Sequence, residues 1–226
     1  MKNIKKIMLL GLVLTIFAVN EMKAQDEITE PCLPDCIGDT WSPAFPEPAN
    51  SIELFICSQW GHTYTAVVYY RTRLACNMYY DYYIEFIGLT DGLPACYTQN
   101  NLTWAQMINQ IILLFIAANP GNYPPLMSGD PCEENWRIMK GSCWFYRSPG
   151  GVGGGIIAPL TETEHLHYPF DSHFVPCTTA QCCLEYFTVC IVNNVRTITN
   201  TGYQEPEDCG ENVPYNCQPT CGTIYR

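Results

Sequence analysis

Three of the four histidines fall within nine residues, in His165-Leu-His167-Tyr-Pro-Phe-Asp171-Ser-His173. On a strand His165 and His167 share a face, and Asp171 or His173 returns from the following loop. Two or three imidazoles with a carboxylate form a competent zinc or copper set, and Glu162 or Glu164 would serve as base or extra ligand. That constellation defines one reading, an extracellular metal-dependent hydrolase on His165, His167 and His173. The competing reading is a polar strand and loop whose histidines titrate in solvent. No His-Glu-x-x-His helix motif accompanies the cluster.

Other catalytic signatures are weaker. No Gly-x-Ser-x-Gly elbow is present, and Gly141-Ser142-Cys143 falls in an expected hairpin turn. The five glycines between Ser148 and Gly155 lack both a P-loop lysine and the dinucleotide-binding spacing. Carboxylate pairs such as Asp81/Glu85, Glu133/Glu134 and Glu162/Glu164 are too many for any one to indicate a glycosidase dyad. The chemistry therefore points to a non-catalytic module, and no cofactor is expected.

A second candidate surface is aromatic. Seven of the fifteen tyrosines lie between Tyr64 and Tyr83. Alternation in Tyr79 to Phe86 puts Tyr80, Tyr82, Ile84 and Phe86 on the core face. It leaves Tyr79, Asp81, Tyr83 and Glu85 on the other face, either as a binding platform for an extracellular protein or glycan or as an ordinary wet sheet face.

The fourteen cysteines are Cys32, Cys36, Cys57, Cys76, Cys96, Cys132, Cys143, Cys177, Cys182, Cys183, Cys190, Cys209, Cys217 and Cys221. An even number in an exported chain implies up to seven disulfides. Zinc held by Cys32-x3-Cys36 and Cys217-x3-Cys221 is the alternative. Adjacent Cys182 and Cys183 on a strand point to opposite faces and so bond to different partners.

Export is inferred from residues 1–24, where Lys2, Lys5 and Lys6 precede the apolar run Ile7–Val19 and cleavage is expected after Ala24. Removing them takes four lysines and one acid from 11 bases and 22 acids. That leaves 7 bases against 21 acids, net −14, with Lys140 the one remaining lysine. Such a surface repels phosphate backbones, so nucleic acid is not an expected partner. No remaining run is long enough to span a membrane.

The elements that must position these residues read as a mainly β (α+β) fold, a disulfide-stapled antiparallel sheet with one buried helix near 103–118. A Pro-rich arm covers 25–50 and the β domain 51–226. Strands are expected at Ile52–Cys57, Thr63–Leu74, Tyr79–Ile87 and Ile156–Tyr168. A hairpin pairs Trp136–Met139 with Cys143–Tyr146 through a turn at Lys140-Gly141, with a Cys132–Cys143 bridge at its base. A last hairpin, Leu184–Val192 with Val195–Thr201, turns at Asn193-Asn194. The helix carries a capping box, Thr103 with Gln106, stops at Asn119-Pro120-Gly121, and is apolar all round from Ile111 to Ala118.

The order helix, Asn119-Pro120, Cys132, Trp136-Arg137, Gly141-Ser142-Cys143-Trp144, Pro176-Cys177, Cys182-Cys183, Tyr186, Val189-Cys190 resembles a set of exported cysteine-rich proteins of Bacteroidetes-type bacteria. The resemblance covers roughly residues 52–221 and rests on cysteine and tryptophan landmarks. It implies an extracellular or surface location in a bacterium. No activity and no functional residue comes with it.

Overall fold

A computed structural model describes residues 40–43, 50–122, 132–148, 170, 172–177, 182–193, 195–204, 209 and 217–222. Three long β-rich runs become β1 (Asn50–Gln59), β2 (His62–Ala75) and β3 (Tyr79–Leu89), an antiparallel meander. Two helices follow, α1 (Ala95–Gln99) and α2 (Trp104–Ala118). Then come β4 (Glu133–Gly141), β5 (Cys143–Arg147), β6 (Ser172–Pro176), β7 (Cys182–Val192), β8 (Val195–Gln204) and the short β9 (Gln218–Pro219). The mainly β, disulfide-stapled class holds, but the sheet is mixed, because β3 and β4 run parallel. The expected strand Ile156–Tyr168 lies outside the described residues.

The sheet forks at β3. One edge of β3 pairs with β2 along its length. Its other edge pairs with β4 at Tyr80–Tyr83 and with β6 at Ile87–Leu89. One branch therefore runs β4-β7-β8 and the other β6-β5-β9. β4 and β5 do not pair with each other. The expected Trp136–Tyr146 hairpin is replaced by two successive strands in different branches, and Lys140 and Gly141 belong to β4. The glycine serves close approach, since a Cβ on Gly141 would stand 2.7 Å from Cβ of Pro176.

Helix α2 lies across one face of the sheet. Thr103 accepts from the Gln106 amide while the Gln106 side chain accepts from the Thr103 amide, and Asn119 ends the helix in the left-handed conformation (φ 45°). From β8, Arg196 donates to two carbonyls at the helix C-terminus, that of Ile116, which also accepts from the Asn119 amide, and that of Ala117. Phe115 sets its ring edge-to-face against Tyr70 and Tyr82, and Tyr82 packs on Trp136. Each such fully buried side chain contributes roughly 1.5–3 kcal/mol. The helix is not buried all round: Leu114, Ala117 and Ala118 are exposed. It covers the sheet from one side only, so its outer stripe stays wet whatever its composition.

A bulge corrects the expected face of Phe86. Tyr69 pairs with Phe86 and Tyr70 with Ile84, leaving Glu85 as the extra residue. Tyr82 and Ile84 face the helix, and beyond the bulge Ile87 and Leu89 do. Phe86 turns to the opposite face, where it stacks on Tyr69 at 4.2 Å. The final hairpin forms as expected, with Asn193 at φ 51°.

Disulfides join Cys57 to Cys96, Cys132 to Cys190, Cys143 to Cys209, Cys177 to Cys217 and Cys183 to Cys221. Cys76 and Cys182 are also disulfide-bonded, and no described cysteine is a free thiol. Cys182 and Cys183 do have different partners. The expected Cys132–Cys143 bridge does not form, because those residues lie in different branches. Cys32 and Cys36 lie outside the described residues. Cys217 and Cys221, flanking β9, tie to the β6 and β7 branches respectively, so the tail stitches the fork closed.

Candidate functional site

On the face away from α2, a direct cross-strand row brings Arg73 of β2, Asp81 of β3 and Arg137 of β4 together. Arg137 holds the Asp81 carboxylate with two parallel bonds of 2.6 and 2.8 Å, and Arg73 donates one of 2.9 Å. All three side chains are buried. Such a pair needs its hydrogen bonds to offset desolvation, and the cluster carries one positive charge in excess. The excess is spread over aromatic faces: Trp41 lies 4.5 Å from the Arg73 guanidinium and Tyr79 lies 3.9 Å from that of Arg137.

The four platform residues thus occupy distinct situations. Asp81 is not solvent-facing but the buried centre of the ion cluster. Tyr79 is half-buried beneath Arg137, Tyr83 is half-buried with the Trp41 ring edge-on at 6.2 Å, and Glu85 sits in the bulge 4.0 Å from Arg71. The Pro-rich arm contributes here. Ser42 bonds the amide and carbonyl of Thr72, taking the ladder position beyond the start of β1. Asp81 faces that way by alternation, which was readable. Its two arginines were not, since they lie 8 and 56 residues away.

The histidine cluster is not brought together among the described residues. His165, His167 and Asp171 lie outside them. His173 is in β6, fully buried, with Nδ1 3.1 Å from the carbonyl oxygen of Phe170. The only grouping of metal-ligand residue types among the described residues is Cys183, Glu185 and Cys221. Its two sulfurs form a disulfide, and a disulfide sulfur is not the thiolate a metal requires. The zinc alternative at Cys217 and Cys221 falls for the same reason.

A third feature is the β1–β2 turn. Its two central residues, Trp60 (φ 52°) and Gly61 (φ 80°), both have positive φ, as a type I′ hairpin turn requires. Asparagine or aspartate usually precedes the glycine there, because a bulky side chain in that conformation is strained. Trp60 is nevertheless placed there and is 72% exposed. Its neighbours are held firmly. Cys57 is bridged to Cys96 on α1, Ser58 and Thr63 share a hydroxyl hydrogen bond of 3.3 Å, and the Gln59 amide donates to Gln99. The sequence signal was the Trp-Gly pair between two β runs, which composition alone does not single out.

These features define a disulfide-stapled, forked-sheet module. No protein-family model matches the chain, and neither the curated proteins nor the solved structures contain a match.

Proposed function

We propose that this is a secreted or cell-surface binding or structural module without catalytic activity, which meets an extracellular protein or glycan through Trp60. The carrying observation is the strained, exposed tryptophan on a covalently braced turn. Backbone strain at an exposed aromatic is a pointer to function, since an asparagine there would relieve it. Tryptophan supplies a large stacking area with little rotamer entropy to lose, and bracing by Cys57–Cys96 lowers the ordering cost of contact. Disulfide density is typical of extracellular proteins, and the N-terminal residues and the resemblance to exported bacterial proteins support the same location. The tyrosine face is a poorer contact surface, because Trp41 and Arg137 already occupy its rings.

The test compares wild-type and Trp60→Asn protein on glycan and extracellular-protein arrays. The variant is expected to lose binding at least tenfold while melting no lower than wild type, since the substitution relieves strain. Undiminished binding by the variant overturns the Trp60 assignment. Native mass spectrometry of the exported protein addresses the metal-hydrolase alternative: a stoichiometric metal on a fully oxidised chain would move His165, His167 and His173 to first place.

A further inference from the structure

Under α2, on the face opposite the arginine cluster, the Lys140 ammonium is fully buried. Its Nζ lies 2.9 Å from Oδ1 of Asn109 on the helix and 2.9 Å from Oε2 of Glu185 on β7. Glu185 is itself fully buried, and its other oxygen accepts from the Gly222 amide at 3.4 Å. Three different elements therefore deliver an amine, a carboxamide and a carboxyl group to one buried point. An amine that already touches the amide oxygen has the amide carbon one C=O bond, about 1.2 Å, further on. A small side-chain rotation would bring the amine nitrogen over that carbon, and holding the two groups together in this way lowers the barrier of an intramolecular reaction.

We propose that Lys140 and Asn109 condense into an intramolecular amide cross-link, with Glu185 as proton shuttle and ammonia as the leaving group. Glu185 first takes a proton from the Lys140 ammonium, leaving a neutral amine and a neutral acid. The Lys140 ammonium thereby gives up a charge that its burial penalises. Burial does lower the proton affinity of Lys140, against the opposing pull of Glu185. The amine nitrogen then attacks Cγ of Asn109, forming the new C–N bond while the carbonyl electrons move to Oδ1. Glu185 passes its proton to Nδ2 and takes one from the attacking nitrogen. The Cγ–Nδ2 bond breaks, ammonia departs, and Glu185 ends as the neutral acid. Atoms and charge balance, and no oxidant or metal is needed.

The product suits its place. A buried ion pair with a strained desolvation balance becomes a neutral amide, and the helix becomes covalently tied to the sheet. The disulfides tie strands, loops and α1, whereas α2 contains no cysteine and so none reaches it. The cross-link would fasten the long helix to the sheet, a tie that no disulfide makes.

The test is peptide mapping of the full exported chain after reduction, alkylation and denaturation. Intact mass alone is ambiguous, because cyclisation of an N-terminal glutamine also releases one ammonia, about 17 Da, by the same amine attack. The expected result is a branched trypsin fragment joining the Asn109 segment to the segment beginning at Ile138, with no cleavage after Lys140. Unlinked fragments with cleavage after Lys140 overturn the proposal. A branch between Lys140 and Glu185 overturns it as well. Asn109→Ala and Glu185→Gln are expected to abolish the branch completely. A folded Glu185→Gln protein that remains linked removes Glu185 from the chemistry. The wild-type map decides the bond itself whether or not that variant folds.

Discussion

Asp81 is bound by two arginines that are not equivalent. Arg137 makes two parallel bonds to it and Arg73 one, and together they exceed its charge. Removing Asp81 leaves two buried guanidinium groups facing each other, so Asp81→Asn is expected to cost about 3–5 kcal/mol in urea unfolding. Arg73→Met leaves a neutral, two-bonded pair and is expected to cost within about 1 kcal/mol, mostly its contact with Trp41. Arg137→Met leaves the weaker pair and is expected to cost about 3 kcal/mol. Equal losses for the two arginine variants would contradict the geometry. At high pH the relevant group is Tyr97, which burial pushes up to about 12 from 10.0. Between those values the folded chain keeps a proton that the unfolded chain has lost, so stability falls as pH rises through that window. Tyr97→Phe should flatten the decline in thermal melts recorded from pH 10 to 12.

Among the elements, α2 was the most legible. Its start is written in four residues from Thr103 to Gln106, because a capping box is a contact between chain neighbours. Thr103→Ala removes one half of that box and is expected to lower stability by about 1 kcal/mol, measurable as a shifted denaturation midpoint with an unchanged slope. A drop several times larger would mean that Thr103 does more than cap the helix. Strand β3 was legible in extent but only partly in facing. Alternation holds from Tyr79 to Ile84 and fails at Phe86, because the Glu85 bulge depends on how β2 lies alongside. The Trp136–Tyr146 segment failed altogether as a hairpin. Two β runs separated by Lys140-Gly141 look like neighbours, yet β6 wedges in beside β5 from thirty residues further on.

For the molecule as a whole, closing the fork is the main structural problem. Branches β4-β7-β8 and β6-β5-β9 diverge from one strand, and a gap between them would expose Trp144, which is fully buried. The tail segment closes it, with Cys217 tied to one branch and Cys221 to the other, and with the Thr220 amide donating to the Ser142 carbonyl at the junction. A Cys183→Ser/Cys221→Ser protein is expected to lose about 2–4 kcal/mol. Hydrogen exchange should increase first in β5 and β9, because those strands lose their tether to the other branch. Uniform acceleration across all strands would instead indicate a disulfide that only limits the unfolded chain.

The amino-acid sequence by itself determined whatever depends on near neighbours and on composition. The helix cap, the Asn193 turn, the extents of β1 to β3, the distinct partners of Cys182 and Cys183 and the mainly β class all follow from spacing, backbone preference or alternation. Tertiary structure decided whatever depends on contacts far apart in the chain. It chose the partners of the cysteines, the parallel pairing of β4, the arginines around Asp81, and the meeting of Asn109, Lys140 and Glu185 beneath the helix. Those residues are separated by 31 and 45 positions, and no local preference encodes such a meeting. Only the packing of α2 across a forked sheet brings an amine, an amide and an acid to one buried point.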